Sequence, residues 1–352
     1  MRVVVAMSGG VDSSVAAALL AREGHEVIGL SMQLYDQGEG TTKFGSCCTI
    51  DDLHDARRVA AHIGIPHYIM NFERQFDEQV VSDFVREYAA GRTPIPCVHC
   101  NGELKFATLA TRADALGASL VATGHYARVE KDANGTYLLK RGTDPAKDQS
   151  YFLFTLTQPQ LAHAVFPVGA LDKTTVRAHA RDLGLPVAEK PDSHEICFVA
   201  DGDHTAFLER HGAVRAQGDL RDVHGRVIGR HDGIHRFTVG QRKGLGLASP
   251  IPLYVVDIDA GTNSVTVGPR DALQRDSLTA SRANWISGSA PLPATRVTAQ
   301  IRHRHREAAA TITPRGNDRV QVAFDEPQTA VTPGQAVVFY ERDAVVGGAW
   351  ID

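Results

Sequence analysis

The sequence predicts three parts in order: an α/β domain built on a parallel sheet, a small β-rich central domain and a C-terminal β-barrel. In the first half, short apolar runs alternate with amphipathic helical patterns, which is typical of parallel strands covered by helices. In the middle, glycines and basic residues surround short β-rich runs. Towards the end, alternating runs are separated by turn residues, which indicates a small antiparallel barrel. We place the three parts at residues 1–199, 200–278 and 279–352.

Each predicted element follows from its local pattern. Short apolar runs predict strands, and apolar residues recurring at helical spacing predict helices. In the first part, strands are predicted at 3–6, 27–32, 67–70 and 119–123, and helices at 13–23, 53–63, 76–90, 102–116 and 174–183. In the last part, strands are predicted at 296–301, 308–312, 319–324 and 336–340, with turns such as Gly316-Asn317-Asp318 and Pro333-Gly334 between them.

Composition bounds the class of protein. The chain has 352 residues, which at roughly 100–200 residues per domain suggests two or three domains. Hydrophobic residues make up 43% and charged residues 22%, an ordinary balance for a soluble globular protein. The formal net charge is −4, whereas a protein that binds nucleic acid over its whole surface is usually basic. Any nucleic-acid-binding surface must therefore be a local patch.

The sequence shows no sign of a membrane span or of secretion. No apolar run approaches the ~18 residues that span a bilayer, and the brief apolar start at residues 1–7 reads as a buried strand. Five cysteines, an odd number, favour a reducing compartment in which thiols serve chemistry or metal binding. We therefore expect a cytoplasmic protein that does not associate with membranes.

A glycine-rich loop connects the first strand to the first helix, with the sequence Ser8-Gly9-Gly10-Val11-Asp12-Ser13-Ser14. Glycines let the backbone turn so that its N–H groups point at an anion, and the helix N terminus adds partial positive charge. Serine hydroxyls supply further donors. Gly-Lys-Ser/Thr is absent, so the loop differs from the common nucleotide triphosphatase loop. The alternative is a generic turn capped by Asp12.

This loop resembles the pyrophosphatase-type loop (PP-loop) of the N-type ATP pyrophosphatases, which share an adenine-nucleotide alpha-hydrolase-like α/β fold. Members bind ATP, adenylate an oxygen and release pyrophosphate. The resemblance implies ATP and Mg²⁺ as cofactors, with Asp12 helping to hold the cation beside the phosphates, and no metal site in the protein itself. The loop alone does not choose among the enzymes of this group.

Two cysteines lie in long motifs that suit sulfur chemistry. Cys100 follows a stretch stiffened by two prolines, and Asn101 is predicted to cap the helix after it. A thiol just before a helix N terminus has a lowered pKa, so more of it is the nucleophilic thiolate. Cys197 lies nearly a hundred residues further on, in Lys190-Pro191-Asp192-Ser193-His194-Glu195-Ile196-Cys197-Phe198-Val199. It meets Cys100 only if the fold brings them together.

The cysteines allow two other interpretations. A buried cysteine is commonly an inert core residue, and Cys197 taken alone fits that description. Cys97-x-x-Cys100 also has the spacing of half a zinc or iron–sulfur site, which Cys197 or Cys47-Cys48 would complete. We favour sulfur chemistry over both.

Taken together, the motifs resemble those of the tRNA-specific 2-thiouridylase (MnmA-type) family, and the resemblance covers almost the entire chain. Besides the stretches at 8–14, 91–101 and 192–198, the matching motifs are Gly29-Leu30-Ser31-Met32, Lys105-Phe106, Ala122-Thr123-Gly124-His125-Tyr126-Ala127-Arg128, Lys147-Asp148-Gln149-Ser150-Tyr151-Phe152-Leu153, Thr238-Val239-Gly240-Gln241-Arg242 and Thr332-Pro333-Gly334-Gln335. Several long motifs in the right order argue against accidental similarity. The resemblance implies a tRNA-uridine 2-sulfurtransferase.

The resemblance also implies a role for each cysteine: Cys100 is the nucleophile and Cys197 carries a persulfide. Adenylation by ATP turns the uracil 2-oxygen, a poor leaving group, into one that departs with AMP. The persulfide sulfur, or hydrosulfide released from it, attacks C2, and Cys100 attacks the persulfide. A Cys100–Cys197 disulfide would remain and need reduction.

Binding residues follow from the same resemblance. It implies that ATP is held by Ala6, Met7, Ser8, Gly9, Gly10, Val11, Asp12, Ser13, Met32 and Gly124. It implies that the tRNA and its target base contact Ile95, Pro96, Cys97, His125, Lys147, Asp148, Gln149, Arg302, His303 and Gln335. Without the resemblance, Met32 reads as core packing, His125 as a structural histidine and Lys147-Asp148 as a solvated turn.

One position departs from the family pattern. Many members have an aspartate three residues before the nucleophile, where it acts as acid or base. Here that residue is Cys97, and a thiol has a reference pKa of about 8.5 rather than about 3.9. Whether Cys97 takes over the proton role stays open, and so does the role of Cys47 and Cys48.

Two basic clusters are candidates for an RNA-binding face, because lysine and arginine replace the counterions of RNA phosphates. One lies in the glycine-rich middle and consists of Arg221, Arg226, Arg230, Arg236, Arg242 and Lys243. In the other, Arg302, Arg304 and Arg306 alternate with histidines, and on a strand this period of two places the arginines on one face. Solvent-facing charge is the alternative interpretation.

The resemblance names the partners as well. It implies wobble uridine 34 of the lysine, glutamate and glutamine tRNAs, turned out of the anticodon stack to enter the site. It also implies a cysteine desulfurase or a sulfur-relay protein as donor.

Two other classes of function compete with this interpretation. An ATP-dependent ligase or amidotransferase on the same fold requires neither the cysteines nor RNA, and the cysteine motifs and β-rich C-terminal part count against it. A non-catalytic RNA-binding protein with a redox or zinc site would not turn over ATP, and the intact loop at 8–14 counts against it.

Overall fold

The computed structural model describes residues 1–34, 49–192, 196–199, 202–213, 216–316 and 318–352. These residues form a five-stranded, a four-stranded and an eight-stranded sheet. The sheets correspond to the α/β domain, the β-rich central part and the barrel that the sequence predicts, so the predicted fold class is confirmed. Cys47 and Cys48 lie outside the described residues.

The N-terminal part alternates strands and helices. Its elements are β1 (Arg2–Ala6), α1 (Val11–Arg22), β2 (Glu26–Gln33), α2 (Ile50–Ile63), β3 (His67–Asn71), α3 (Glu73–Phe76), α4 (Ser82–Ala89), α5 (Pro96–His99), α6 (Ala107–Ala115), β4 (Leu120–Thr123), β5 (Ala127–Lys131), β6 (Tyr137–Arg141), α7 (Gln158–His163), β7 (Ala164–Val165) and α8 (Lys173–Asp182). The next helix, α9 (His204–Arg210), lies after residue 199 but packs its Phe207 and Leu208 into the core of this part. Its parallel sheet has the strand order β3-β2-β1-β4-β7.

Two apolar clusters enclose this sheet. Val3, Val4 and Val5 of β1 are fully buried, as expected for a central parallel strand covered on both faces. Because neighbours along a strand point to opposite faces, Val4 packs with Phe84 and Leu109, whereas Val3 and Val5 pack with residues of α1, α2 and α8. Helices therefore lie on both faces, which leaves the ends of the strands open for a site.

The helix that carries Cys100 begins earlier than the sequence suggests. It runs from Pro96 through a π-helical stretch at Cys100–Phe106 into α6. Proline favours the first helical turn because its φ is fixed and its missing N–H needs no partner there. The predicted cap at Asn101 is therefore wrong, since Asn101 is buried inside the helix. Cys100 lies in the second turn, so the predicted lowering of its pKa by a helix N terminus loses its basis.

A second π-helical stretch, Asp77–Val81, joins α3 to α4 and makes one continuous helix where a helix at 76–90 is predicted.

The central part is a small antiparallel and parallel sheet of β8 (Gly218–Asp222), β9 (Val227–His231), β10 (Tyr254–Asp259) and β11 (Ser264–Gly268). The strand order is β10-β11-β8-β9. Leu220, Phe237, Val255, Val265 and Val267 form its own apolar core.

The C-terminal part is a closed barrel. Its strands are β12 (Gln274–Trp285), β13 (Thr295–Gln300), β14 (Ala308–Arg315), β15 (Arg319–Thr329), β16 (Ala336–Glu341) and β17 (Ala344–Ile351). They are ordered β12-β15-β14-β13-β16-β17, and pairing of β12 with β17 closes the ring. Along β15, Val320, Val322 and Phe324 are buried while Gln321 and Ala323 are exposed, the alternation expected of a barrel wall. Four of these strands are predicted from sequence; β12 and β17 are not.

A hairpin of the N-terminal part extends the barrel sheet. β5 pairs with β6, and β6 pairs with β17. The Tyr151 hydroxyl donates to the Ala336 carbonyl at 2.9 Å, and the ring centroids of Phe154 and Trp350 lie 5.8 Å apart. The N-terminal part and the barrel thus share one apolar core.

The predicted strand carrying alternating arginines is wrong. β13 ends at Gln300, and the chain then turns back towards β14. The His305 N–H donates to the Arg302 carbonyl at 3.1 Å, and Arg304 has a φ of 62°, far from the values of a regular extended strand. Two antiparallel neighbours require a reversal between them, so Arg302, Arg304 and Arg306 do not share a strand face.

Across the described ranges, no helix combines the length and the apolar character that crossing a membrane requires.

Candidate functional site

The loop between β1 and α1 has the geometry of an anion cradle. Gly9 has a φ of 74°, and a Cβ there would lie 2.1 Å from the Asp52 carbonyl oxygen, so only glycine fits. The Ser8 N–H donates to Ser13 Oγ at 3.2 Å, which shapes the turn. Gly10 precedes α1 and offers no side-chain cap. The first N–H groups of α1 therefore need another acceptor, and a phosphate supplies one.

Gly124 brings the end of β4 against the first turn of α1. A Cβ on Gly124 would lie 2.4 Å from the Ser13 backbone nitrogen and 2.7 Å from the Asp12 carbonyl carbon. β1 and β4 are neighbours in the sheet. The next strand of this sheet after β1 is β2, on one side of the pair, and the next strand after β4 is β7, on the other side. Open α/β sheets bind ligands at this kind of position, outside the carboxyl ends of the strands.

Asp12 shares a lysine with a second carboxylate. Lys173 Nζ lies 2.7 and 2.9 Å from the carboxylate oxygens of Asp12 and 2.8 Å from Asp192 Oδ1. The Tyr126 hydroxyl donates to Asp12 Oδ1 at 2.7 Å. Burial and the Asp12 charge raise the pKa of Tyr126 well above its usual range, so the phenol stays a donor. The Lys173 side chain is only 12% exposed.

Asp192 contacts three positively charged side chains. Besides Lys173, it accepts hydrogen bonds from Lys147 at 2.7 Å and Arg177 at 3.1 Å. Burial alone would raise the pKa of Asp192, but the hydrogen bonds and charges of Lys147 and Lys173 outweigh it and lower the pKa to about 2. Asp192 is thus a carboxylate throughout the physiological pH range.

Lys190 flanks the loop from the other side. Its Nζ donates to the Gly9 carbonyl at 3.1 Å and to Asp52 and Asp55 at 2.5 and 2.6 Å. Burial opposes its charge, but the two carboxylates outweigh burial and raise the pKa of Lys190. Sequence reasoning assigned no role to Lys173 or Lys190. The motif before Cys197 contains Lys190 and offered a signal; Lys173 reaches the loop only through the fold.

Cys100 and Cys197 pack into the same apolar cluster. Cys100 is 6% exposed and Cys197 is half-buried. Phe198 packs edge-on against Phe76 and Phe84 of this cluster, with ring centroids 5.5 and 5.2 Å apart. The fold therefore brings two cysteines that are distant in sequence to one face of the sheet. Both are thiols, and no disulfide joins them in this structure.

Ala6 and Met32 connect the phosphate loop to this cluster. Ala6 ends β1 and Met32 lies in β2, and both pack with the cluster that holds Cys100. Met7 and Val11 pack on the opposite face of the sheet. The phosphate end and the thiol end of the site thus meet at the carboxyl ends of β1 and β2.

His125 follows Gly124, just after the end of β4. Its Nδ1 is 2.7 Å from the Thr123 hydroxyl, and the rings of Phe106 and Phe166 flank it at 6.3 and 6.1 Å between centroids. Burial, with a smaller contribution from the Lys105 charge, lowers the pKa of His125 to about 3. The imidazole is therefore neutral at physiological pH and serves as a hydrogen-bonding group.

The residues predicted to line the base pocket open the helix of Cys100. Ile95 and Pro96 are buried, whereas Cys97 is exposed. Ile95 packs into the core shared with the barrel. Of these three residues, Cys97 is the one that reaches the surface.

Residues 147–149 form hydrogen bonds and an ion pair with other parts of the protein. Asp148 Oδ1 accepts the Gly142 N–H at 3.0 Å. Gln149 and Tyr126 exchange two hydrogen bonds: the Gln149 N–H donates to the Tyr126 carbonyl at 2.9 Å, and the Tyr126 N–H donates to Gln149 Oε1 at 3.0 Å. Together with the Lys147 contact to Asp192, these bonds fix the loop beside Asp12, and contact with tRNA stays a prediction.

Arg302 and Gln335 line a cavity where the three parts of the chain meet. Its volume is about 590 Å³, and it is lined by Thr93, Thr238, Val239, Gly240, Tyr254, Arg270, Leu273, Arg302, Thr329, Ala330, Thr332 and Gln335. Gln335 Nε2 donates to the Thr93 carbonyl at 2.9 Å, and Arg302 Nη1 to the Thr329 carbonyl at 3.2 Å. The exposed His303 contacts the Phe152 ring, with 4.6 Å between centroids. Two predicted RNA-binding residues therefore share one hollow.

The basic cluster of the central part is partly neutralised. Arg221, Arg226 and Arg236 form ion pairs with Asp219, Asp222 and Glu209 at 3.3, 2.6 and 2.6 Å. Positive charge is thus less concentrated here than the sequence suggests.

Within the part of the chain that the structure describes, no three His, Cys, Asp or Glu side chains come together to hold a metal ion. Cys47 and Cys48, which the zinc or iron–sulfur interpretation would use, lie outside that part.

Comparison with solved structures finds partial likenesses. NMN synthetase from Francisella tularensis aligns with a TM-score of 0.33 and 19% identity, covering 54% of this chain and 64% of that one. A 4-thiouridine synthetase, described as an RNA complex with bound ATP, aligns with a TM-score of 0.35 and 16% identity, covering 59% and 50%.

Family models and curated relatives match far more closely. The models are described as a tRNA methyl transferase HUP domain at residues 1–201, a tRNA methyl transferase PRC-barrel domain at 205–269 and an aminomethyltransferase beta-barrel domain at 275–351. The tRNA-specific 2-thiouridylases of Geotalea uraniireducens and Geobacter metallireducens are 56% and 54% identical, over all of this chain and 95% and 96% of theirs. That of Solibacter usitatus is 52% identical over 99% of both chains. This chain belongs to the tRNA-specific 2-thiouridylase family.

Proposed function

We propose that this chain is an ATP-dependent tRNA-uridine 2-sulfurtransferase, which replaces the 2-oxygen of a uridine with sulfur. One observation carries the proposal: Cys100 and Cys197 pack in one apolar cluster with Ala6, at the entrance to the phosphate loop. A phosphate loop alone would suit any adenylating enzyme. Two thiols beside it add a sulfur carrier and a nucleophile.

ATP serves to activate the oxygen. The loop at 8–13 and the N terminus of α1 receive the triphosphate, and Gly124 leaves the backbone of that turn accessible. Asp12 fits Mg²⁺, which commonly binds one or two carboxylates together with substrate phosphates. The uridine 2-oxygen attacks the α-phosphorus and pyrophosphate leaves, so the oxygen becomes part of a phosphate ester.

Sulfur transfer uses both cysteines. The terminal sulfur of a Cys197 persulfide forms a bond to C2, and AMP departs with the former 2-oxygen. The Cys100 thiolate then attacks Cys197 Sγ. The persulfide S–S bond breaks, and its electron pair stays on the sulfur attached to C2. The products are 2-thiouridine, AMP and a Cys100–Cys197 disulfide, which an external dithiol reduces.

The apolar surroundings of the thiols support this order of events. The cluster around Cys100 excludes water, and an activated uridine that met water would simply be hydrolysed. Cys97 is exposed one helical turn before Cys100, which supports, as part of the proposal, a role for its thiol as proton donor or acceptor towards the base.

The proposal also assigns the residues that contact tRNA. Ile95, Pro96 and Cys97 would line the pocket for a uridine that has left the anticodon stack. Arg302, His303 and Gln335, with Lys147-Asp148-Gln149 and His125, would contact the surrounding RNA. The substrate would be uridine 34 of lysine, glutamate and glutamine tRNAs.

Several further points belong to the same proposal. The sulfur donor is a cysteine desulfurase or a relay protein, and the reaction takes place in the cytoplasm. The chain divides functionally into 1–199, 200–278 and 279–352, with the β5–β6 hairpin contributed by the first part to the barrel sheet.

The test is an in vitro reaction with ATP, Mg²⁺, unmodified tRNA, a cysteine desulfurase with cysteine as the persulfide donor, and a dithiol reductant, followed by mass spectrometry of the nucleosides. We expect 2-thiouridine that appears only with ATP, and AMP in equal amount. A non-hydrolysable ATP analogue should give none. ATP consumption without a sulfur-bearing base would point to a small-molecule ligase and would overturn the proposal.

A further inference from the structure

The carbonyl groups of the two glycines in the phosphate loop are held in different ways. The Gly10 carbonyl accepts from groups close in sequence: the Ser14 N–H at 3.3 Å, Ser14 Oγ at 2.8 Å and Ser13 Oγ at 3.3 Å. The Gly9 carbonyl accepts from Lys190 Nζ at 3.1 Å, and no other donor to it is found among the described residues. One peptide of the loop is therefore held by a residue 181 positions away.

All three donors of the Lys190 ammonium are used inside the protein. They reach the Gly9 carbonyl at 3.1 Å, Asp52 Oδ1 at 2.5 Å and Asp55 Oδ2 at 2.6 Å. Both carboxylates belong to the first two turns of α2, and the Asp52 carbonyl oxygen lies 2.1 Å from where a Cβ of Gly9 would be. Lys190 therefore fixes Gly9 against the start of α2.

The bond to the Gly9 carbonyl determines where the next N–H points. The Gly9–Gly10 peptide is trans, so the Gly9 carbonyl and the Gly10 N–H point in opposite directions. The Gly10 N–H has no acceptor among the described residues, and it lies at the N terminus of α1. A peptide between two glycines rotates at low cost, because both flanking residues tolerate many backbone angles. Lys190 thus selects the orientation in which the Gly10 N–H faces away from it and is open to an anion.

We propose that Lys190 is a positioning residue that orients the Gly9–Gly10 peptide, so that the Gly10 N–H donates to the phosphates of the bound nucleotide. The inference rests on the proposed function where it takes ATP as that nucleotide. Lys190 acts through Gly10, because its own donors are already used. A donor that is aimed in advance needs no reorganisation when the phosphates arrive. Loss of one hydrogen bond to a charged group corresponds to roughly 10- to 150-fold in affinity.

A test must separate orientation from charge, because Lys190 also neutralises nearby carboxylates. Lys190→Met alone would leave Asp52 and Asp55 uncompensated beside the phosphates and would weaken binding by repulsion. Lys190→Met combined with Asp55→Asn removes one positive and one negative charge, so the local net charge is kept while the bond to Gly9 is lost. Two single substitutions are the controls: Asp55→Asn, and Arg58→Gln, which removes the 62% exposed partner of Asp55 at 3.2 Å.

The experiment measures binding of pyrophosphate and of ATP, each with Mg²⁺, by calorimetry, and the KM for ATP and kcat of thiolation. We expect the double variant to bind both ligands at least about tenfold more weakly than Asp55→Asn does. Its KM for ATP should rise by a similar factor while kcat at saturating ATP stays within about threefold, since the thiols are untouched. Arg58→Gln should bind both ligands as the unaltered protein does.

Equal affinities of the double variant and Asp55→Asn would overturn the inference, and so would a fall in kcat with an unchanged KM for ATP. Pyrophosphate binding that depends on Lys190, in a protein that does not bind ATP, would remove the proposed function and leave the inference standing. Thermal unfolding checks that the variants fold. If the double variant does not, NMR of the unaltered protein with isotope-labelled glycine replaces it: the Gly10 amide resonance should shift on addition of pyrophosphate, and an unshifted Gly10 amide would contradict the inference.

Discussion

The phosphate end and the thiol end of the site are built from different forces. At the phosphate end, Lys173 and Lys190 bridge carboxylates and backbone with ion pairs and hydrogen bonds. At the thiol end, Cys100 and Cys197 lie among phenylalanine rings. Highly charged phosphates require fixed counter-charges, whereas a reactive sulfur and an activated base require the absence of water. Each end therefore has the surroundings that its step of the proposed reaction needs.

Removing a thiol should have the largest effect, because it should abolish the thiol end of the site and leave the phosphate end intact. Cys197→Ala should lower 2-thiouridine to background, because the sulfur carrier is lost, while ATP binding measured by calorimetry stays as before. Cys100→Ala should also give no product, but protein incubated with a cysteine desulfurase and cysteine should then keep one extra sulfur on Cys197, visible by mass spectrometry. Thiolation retained in Cys197→Ala would refute its role as carrier.

The phosphate end can be damaged alone with a single methyl group. Gly9→Ala places a Cβ 2.1 Å from a backbone oxygen at a φ of 74°, and we expect it to lower the free energy of unfolding by about 1–2 kcal/mol and ATP affinity at least tenfold. Gly10→Ala is the matched control for stability. There φ is −88° and the nearest atom is 3.5 Å away, so unfolding in denaturant should shift by less than about 0.5 kcal/mol. Equal effects of the two substitutions would contradict the described loop.

The stability of the protein should respond to acid through His125. The pKa of His125 is lowered to about 3 from 6.5, so below pH 6.5 the unfolded chain binds a proton that the folded one does not. The free energy of unfolding is therefore unaffected by His125 above pH 6.5 and decreases as the pH falls from 6.5 towards 3. The decrease is about 2 kcal/mol at pH 5. Denaturant unfolding of His125→Gln should show a shallower decline than the unaltered protein. His224→Gln, at an exposed histidine, controls for the loss of a histidine, and equal slopes for both variants would exclude a neutral His125 in the folded protein.

The smallest effect is expected away from both ends, at the three-part cavity. Arg302→Ala should weaken tRNA binding a few-fold and lower the slope of log affinity against log salt by about 1, as for loss of one phosphate contact. ATP binding should be untouched. Arg74, 84% exposed on α3, provides the control substitution in the same filter-binding series. A salt slope unchanged by Arg302→Ala would remove this arginine from the RNA-binding surface.

Features of the site that consist of neighbouring residues could be predicted from sequence. Features that the fold brings together from distant positions could not. The phosphate loop is complete in seven neighbouring residues, so its strand, glycines and helix start are visible in the chain. The contact between Lys173 and Asp12 joins positions far apart, and a lysine at the start of α8 has no local feature that marks it. Cys197 was recognised through its motif, but only the fold places it with Cys100.

Local patterns also misled in two places. Arginines alternating at 302, 304 and 306 imitate a strand, yet they occupy the reversal between β13 and β14. Asn101 is a residue type that commonly caps helices, but Pro96 had already begun the helix. In both cases a good local signal was overridden by what the neighbouring elements required.

Because β6 pairs with β17, the barrel sheet can be completed only near the end of translation. The two strands are separated by about two hundred positions, which a ribosome translates in roughly 10–40 s at the usual 5–20 residues per second. During that interval β6 has an open edge and Phe154 lacks Trp350, so a nascent chain has a period of exposure in which chaperones would be needed. The N-terminal part holds the phosphate loop and both cysteines, but the core that it shares with the barrel is complete only when the last strands have been made.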